Sequence, residues 1–482
     1  MGTDSYIGID FGTAYTSIVS VTRDGGSEKI SVLGEDGETP FAALLAITAD
    51  NKVFFGSRVK KGREALSETA KFVSPLADVI GTSKSIVING KECPPRQMAA
   101  EYLRCLKRVV MKKYSVNISE AVIAFPASFS HEARLDILAA AKKAEINVKG
   151  FIPEHYAAYL SARRELEGKT SVMIADWGGR TLDIHIIMND GGRIRERAAF
   201  SEKVGGRDID LRLAERLHAM LGELVEDKSK VVPFEKMSAA DRDKLMNLAE
   251  TAKIRISAEG GEVPVNVADY GGYGTRTVTL TEEAFAEIVK PIVREHVMTA
   301  INSVMARVKL KAADVGAVLA AGGSSGLRAF AGVLKSIFGE EKVVFPEKPQ
   351  IVSSRGAAIS ETENGGFCVT EDVGVLMSDD NIFPLLKKDS KAEGLKSAAF
   401  SFAAVDDSSE AKIVIADGRG RVRGSAAVPV GGFLNERLEI SAEIDETLTT
   451  CVRIHNSLET DNTKDPVLVL DGSGLHYEFD KS

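Results

Sequence analysis

Twice in this chain an apolar run ends in aspartate and turns at once through glycine and threonine into a second apolar run. The first copy reads Ile7-Gly8-Ile9-Asp10-Phe11-Gly12-Thr13-Ala14-Tyr15-Thr16, the second Met173-Ile174-Ala175-Asp176-Trp177-Gly178-Gly179-Arg180-Thr181-Leu182-Asp183-Ile184. Strand-forming residues on both sides of a tight turn predict a hairpin in each. Glycine in such a turn lets backbone N–H groups approach a polyphosphate, and the threonine hydroxyl adds a donor. An aspartate just before the turn can hold a hydrated Mg²⁺ against those phosphates. One copy would be ordinary turn composition. Two copies, each opening a stretch of alternating strands and helices, predict a diverged duplication whose two lobes grip one nucleotide.

The chain has 482 residues, 44% of them hydrophobic, enough for more than one core. A net charge of −8 argues against nucleic acid held over the whole surface, and no sequence-specific nucleic-acid binding is expected. Cys93, Cys105, Cys368 and Cys451 show no CxxC or zinc-type spacing, and the apolar runs are too short to span a bilayer. No secretory leader is expected before the first strand. A cytoplasmic protein in a reducing compartment, without a membrane partner, is the expectation. Gly168-Lys169-Thr170 imitates the end of a P-loop, but Arg163 stands at the required glycine and a helical stretch precedes it.

Strand-like runs alternate up to about Ser360 with helical patterns at 95–113, 131–146, 208–224, 240–256, 282–308 and 327–338. This is α/β. Glu363-Asn364-Gly365-Gly366 marks a boundary. Beyond Val373 only short runs occur, several alternating as in Leu438-Glu439-Ile440-Ser441-Ala442-Glu443-Ile444, which predicts a small β-sandwich. The expected organisation is a two-lobed nucleotide-binding domain at 1–363, a linker at 364–372 and a β-sandwich at 373–482.

Further motifs follow in order: Val122-Ile123-Ala124-Phe125-Pro126-Ala127-Ser128-Phe129-Ser130-His131-Glu132-Ala133-Arg134, Gly150-Phe151-Ile152-Pro153-Glu154-His155-Tyr156-Ala157-Ala158, Val204-Gly205-Gly206-Arg207-Asp208-Ile209-Asp210, Leu248-Ala249-Glu250-Thr251-Ala252-Lys253-Ile254-Arg255-Ile256-Ser257 and Leu319-Ala320-Ala321-Gly322-Gly323-Ser324-Ser325. With the hairpins, in this order and spacing, the chain resembles an Hsp70-type chaperone of the actin and sugar-kinase ATPase superfamily. The resemblance covers the nucleotide-binding region and extends more loosely into the β-domain. It implies a duplicated actin-like (RNase H-like) ATPase domain, with ATP or ADP and Mg²⁺ as cofactors. By it, Asp10 and Asp176 hold the hydrated cation through water, and Gly12, Thr13, Ala14, Tyr15, Gly178, Gly179 and Thr181 line the phosphates. Gly205, Gly206 and Asp208 close over them from another lobe, while Glu250, Lys253 and Ser257, three and four apart on one helix face, clamp adenine and ribose. Gly322, Gly323 and Ser324 face the anion or nucleoside where a strand meets a helix, with Gln350 nearby. Glu154 positions the attacking water beside Asp10, Asp176 and Thr181, and Pro126 with Arg134 forms a switch and relay toward the next domain.

The chain also departs from that pattern. The lysine that the family places beside the transferred phosphate is missing: Ala77, or Pro75 in a gapless alignment, stands there, and Lys71 lies upstream. Losing one such cation costs several kcal/mol of barrier, roughly 10²-fold in rate. Arg180 replaces the third glycine of the usual turn, Gly326 an arginine that packs on adenine, and Gln350 an aspartate. Phe367-Cys368-Val369-Thr370-Glu371-Asp372 is a poor copy of the leucine-rich linker, and no helical lid is expected after the sandwich. The combination resembles the atypical ribosome-associated, Ssz-type Hsp70s that hold ATP with weak or absent hydrolysis, pair with a J-domain protein and stimulate a second Hsp70. Unfolded peptide is a further expected partner. The competing expectations are an ATP-hydrolysing Hsp70 chaperone and a small-molecule kinase of the same superfamily.

Three surface features carry little function by themselves. Arg419, Arg421 and Arg423 make a basic face read as a solvated edge against an alternative of RNA contact. Arg104, Lys107, Arg108, Lys112 and Lys113 line one side of a helix. His155 and His185 have no ligand partner at useful spacing and are expected to be structural.

Overall fold

Both motifs are antiparallel hairpins in the computed structural model, which describes residues 4–24, 27–62, 66, 69–73, 76–272, 274–403, 408–431, 436–459, 465–470 and 474–480. Asp4–Phe11 pairs with Tyr15–Asp24, and Ser171–Trp177 with Leu182–Asp190, which sets Asp176 directly across from Asp183. Each hairpin is the centre of a sheet built to one plan. In the first lobe the order is Asn147–Pro153, Glu120–Phe125, Asp4–Phe11, Tyr15–Asp24, Ser27–Val32. In the second it is Val343–Val344, Ala317–Ala321, Ser171–Trp177, Leu182–Asp190, Arg193–Glu202. In both, two parallel strands flank an antiparallel meander, so the duplication expected from the motifs is also a duplication of topology.

The central strands are nearly continuous apolar runs because helices cover both faces of each sheet. Helices occupy Pro95–Tyr114, His131–Lys143, Gly206–Glu223, Ala239–Glu259 and Arg328–Phe338, close to the expected spans. The stretch expected as one helix at 282–308 is interrupted after Pro291: Glu282–Ile292 gives way to a π-turn at Val293–Val297 before Met298–Val308. Beneath the cleft, Val122 and Ala124 of one sheet and Ile174 and Leu319 of the other share a core with Val352 and Ala357. Two glycines permit this approach. A β-carbon on Gly356 would lie 1.7 Å from the Ala157 carbonyl oxygen, and one on Gly8 would lie 2.0 Å from that of Ser354.

Two four-stranded antiparallel sheets follow. One runs Ile382–Leu386, Val373–Leu376, Glu410–Asp417, Val422–Pro429, the other Phe400–Ala403, Arg437–Ile444, Thr450–Asn456, Val467–Leu470. Val375, Ile415, Ile440 and Ile454 fill the space between them, as the alternating pattern predicts. The strand Leu475–Phe479 departs from this sandwich. It pairs with Arg193 and Ile194 of the second lobe's meander and, over five residue pairs, with Gly365–Val369. The segment expected as a linker at 364–372 therefore contains a strand of the second lobe's sheet, and the span 373–482 divides between the sandwich and that sheet.

The sandwich also touches the first lobe. Asp445 Oδ2 lies 2.6 Å from His131 Nε2, Arg134 donates to Thr449 Oγ1 at 2.6 Å, and Leu448, in the left-handed region at φ 61°, packs on the first lobe's core. The basic face borders Val422–Pro429, the last strand of its sheet, and is internally paired: Arg419 pairs with Glu371, and Arg421 and Arg423 with the buried Asp417. Arg104 and Lys107 cap the carbonyls of Lys143, Ala144 and Glu145 at a helix end. None of the four cysteines is in a disulfide, and among the described residues no helix is long and apolar enough to cross a membrane.

Candidate functional site

The two hairpin turns face each other across a cavity of about 660 Å³. From the first lobe, Asp10, Gly12, Thr13, Ala14 and Tyr15 line it, with Pro126 beyond them. From the second come Asp176, Gly178, Gly179 and Thr181, the Gly206 helix start, and Glu250 and Lys253 on the helix Ala239–Glu259. Glu154, at the head of Glu154–Ser161, closes the floor, and Gly322, Gly323, Ser324 and Gln350 close one side. The glycines are where the walls are thinnest: a β-carbon on Gly179 would meet Ala14 Cβ at 2.6 Å, and one on Gly206 would meet Ser324 Oγ at 2.8 Å. Gly322 has φ 79° and sits so close to Asp176 that a side chain would strike its Oδ1 at 2.3 Å.

One end of the cavity is a cluster of carboxylates. Burial pushes Asp10 up to about 6 and Asp176 up to about 7. Glu154 rises well above the usual carboxylate range, through burial and then the charges of Asp10, Asp176 and Asp183. Asp10 Oδ1 and Asp183 Oδ1 are buried without a hydrogen-bond donor. Unpaired carboxylate oxygens gathered in this way fit a hydrated divalent cation, and the glycine-walled turns beside them fit a polyphosphate. Asp10 and Asp176 would hold Mg²⁺ through water. When bound, the cation would neutralise phosphate charge and this cluster together.

The opposite end joins the lobes. Tyr15 Oη and Lys60 Nζ, both from the first lobe, donate to the Glu250 carboxylate of the second, and Lys60 Nζ lies 3.2 Å from Tyr15 Oη. Burial opposes ionisation of Glu250, yet Lys60 and Tyr15 hold its carboxyl below the usual range. Lys253 is fixed 2.8 Å from Asp210 and donates to the Gly206 carbonyl at 3.0 Å.

Some expected residues do not line the cavity. The Ser257 hydroxyl donates to the Lys253 carbonyl of its own helix at 2.7 Å, one turn below the opening. Asp208 accepts from the Gly205 N–H at 2.8 Å and so caps its helix, while Gly205 packs on the Arg180 backbone, where a β-carbon would lie 2.3 Å from the Arg180 nitrogen. Arg134 lies outward, bonded to the Phe129 carbonyl and to Thr449. Ala77 packs on the first lobe's core outside the cavity, and Pro75 lies outside the described residues.

Sequence reasoning missed Lys60, Asp183, Asp210 and Asn247, all of which line the cavity. Asp183 was within reach: it lies two residues beyond Thr181 on a strand, hence on the same face. Lys60 sits on a five-residue helix with no local signal. His155 and His185 do have a common partner, Glu196, at 3.1 and 2.8 Å from their Nε2 and Nδ1 atoms. Their rings stack with centroids 4.1 Å apart and planes 16° from parallel, so no ion can lie in the plane of both. Burial, then His185, keeps His155 neutral, down to about 3, and the two imidazoles bring Glu196 to about 2 against its burial.

The "Hsp70 protein" family model matches residues 47–377. Among curated relatives, a "Chaperone protein DnaK" of Mycoplasma mycoides subsp. mycoides SC is 27% identical over 388 residues, 79% of this chain and 62% of that protein. A "Chaperone protein DnaK" of Deinococcus deserti is 26% identical over 435 residues, 82% and 67% of the two chains. The chain thus spans about two thirds of the length of these relatives. With paired hairpins, a shared strand order and a carboxylate-lined cleft already in the structure, this match places the chain in the Hsp70 family.

Proposed function

We propose that this protein is an ATP-binding Hsp70-type chaperone or cochaperone that holds Mg²⁺-nucleotide between its lobes and hydrolyses it weakly or not at all. The observation that carries this reading is the cavity itself. Its phosphate end gathers Asp10, Glu154, Asp176 and Asp183, whereas residue 77, where the resemblance puts the family's lysine, is an alanine packed outside it. The chain's own residues would bind and orient the nucleotide through hairpin N–H groups, hold the lobes shut through Tyr15, Lys60 and Glu250, and keep a water beside Glu154. A ligand so enclosed stabilises the closed form by mass action, without turnover.

The same reading makes the protein a scaffold for a J-domain cochaperone, at the ribosome and alongside a second Hsp70, in the Ssz-type manner, with extended peptide a further ligand of the sandwich. Two features favour a scaffold over a cycling chaperone: the 365–369 segment is paired as a strand, and the sandwich is tied to the first lobe through Asp445 and Thr449. Single-turnover hydrolysis of labelled ATP by the purified protein, with and without a J-domain, tests the reading. Turnover at the rate of an ordinary Hsp70 would establish the ATP-hydrolysing alternative. Affinity capture followed by identification of a J-domain protein and ribosomal proteins tests the partners.

A further inference from the structure

The second hairpin turn carries a cationic residue that the reading above does not use. Arg180 stands between Gly179 and Thr181 in the second hairpin turn and lines the same cavity as Asp10, Glu154 and Asp176. Its backbone is pinned from several sides. The Gly178 N–H donates to the Thr181 carbonyl at 2.9 Å, the Gly206 N–H to the Gly178 carbonyl at 3.1 Å, and the Arg207 N–H to the Gly179 carbonyl at 2.8 Å. Gly205 packs directly on the Arg180 nitrogen and Cα. The side chain is therefore rooted in the turn whose N–H groups and Thr181 hydroxyl would contact phosphate.

Arg180 is the cation rooted in a hairpin turn, whereas two others that line the cavity lie at its far end. Lys60 is paired with Glu250, and Lys253 with Asp210 and the Gly206 carbonyl. Arg207 is exposed on the first turn of its helix. A terminal phosphate would meet Asp10, Glu154, Asp176 and Asp183, a concentration of negative charge that one divalent cation only partly offsets. A guanidinium is permanently charged and presents paired N–H groups that match two phosphate oxygens.

We propose that Arg180 binds the terminal phosphate of a nucleoside triphosphate and so makes the site prefer triphosphate to diphosphate. The proposal rests on the nucleotide-binding reading. A contact made equally to bound substrate and transition state tightens binding without raising the rate, which suits a protein that retains its nucleotide.

The test is calorimetric titration of the full chain and of Arg180→Gly and Arg180→Lys with ADP and with a non-hydrolysable ATP analogue, each with Mg²⁺. The unsubstituted protein is expected to bind the analogue more tightly than ADP. Arg180→Gly should reduce that ratio about tenfold or more while leaving ADP affinity within about threefold, and Arg180→Lys should restore part of it. Retention of the analogue's advantage in Arg180→Gly overturns the proposal. Equal loss of both nucleotides overturns it too, because Arg180 would then be supporting the turn. If the unsubstituted protein binds both nucleotides equally, the Arg180 assignment alone fails; if it binds neither, the nucleotide-binding reading fails and takes the proposal with it.

Discussion

Replacing Lys60 by Met should loosen the hold on nucleotide without disturbing the fold. Lys60 and Tyr15 belong to the first lobe and Glu250 to the second, so their bonds exist only while the lobes are closed. Methionine keeps the apolar stem that lies along the Tyr15 ring, where Lys60 Nζ is 5.6 Å from the centroid, and removes only the charge. The side chains of Lys60 and Glu250 are 25% and 17% exposed, which places the pair between a surface bridge and a buried one. A charge-assisted hydrogen bond discounted for that exposure contributes about 1–2 kcal/mol. The whole loss falls on the closed form, so release of nucleotide should accelerate about 5- to 30-fold. Tyr15→Phe removes a neutral hydroxyl donor to the same carboxylate and should accelerate release about fivefold. Because both donors share Glu250, the double variant should depart from the product of the single effects. Stopped-flow chase of a fluorescent ADP analogue measures all three. Unchanged release in both single variants would show that the lobes are not held at this end and would refute the argument.

Gly356→Ala puts a methyl against the Ala157 carbonyl at 1.7 Å and should cost about 3 kcal/mol or more; an unchanged melting temperature would refute the closeness of that crossing. His155, held neutral to about 3 against an ordinary 6.5, should itself cost stability in acid, whereas Asp10 and Asp176, raised to about 6 and 7, add stability as pH falls. Between about 6.5 and 3 the unfolded chain binds the extra proton at this residue, so the His155 contribution falls by about 2–3 kcal/mol from pH 6.5 to 4.5. Below about 4.5, Glu196, depressed to about 2, adds to the loss, and His185, charged in both states, does not offset it. Urea midpoints of the protein and of His155→Phe at pH 7 and 5 isolate this contribution, and a stability difference between the two that does not move in the variant's favour at pH 5 contradicts it. Ala77→Lys should leave single-turnover hydrolysis unraised, because residue 77 packs on the first lobe's core and not in the cavity; a marked gain would show that the added ammonium reaches the phosphates.

Legibility in the sequence followed distance along the chain. Asp10 and Asp176 could be placed because their strands, turns and return strands are contiguous, and the strand period fixes which side chains share a face. The sandwich was visible in the alternation of residues 438–444. What escaped detection depends on partners far apart in sequence. Lys60 meets Glu250 across 190 residues, and no local pattern marks a lysine on a five-residue helix. Glu196 joins His155 and His185 only because a third strand brings it there. Helical spacing put Ser257 on the face of Glu250 and Lys253, but not how far the cavity reaches along that face. Pro291 was visible, yet periodicity alone does not say that the helix absorbs it with one wide turn.

The strand Leu475–Phe479 has a consequence for the order in which the molecule is made. A chain leaving the ribosome exposes the second lobe's meander long before residue 475, so the Arg193–Ile194 edge and the strand Gly365–Val369 must wait for a partner through the whole synthesis of the sandwich. Contacts between residues nearly three hundred positions apart are slow to form, and an unpaired edge invites other strands meanwhile. The second lobe and the sandwich should therefore reach their final form together, late, as one cooperative unit, and the nascent form of this protein is itself a candidate for chaperone protection.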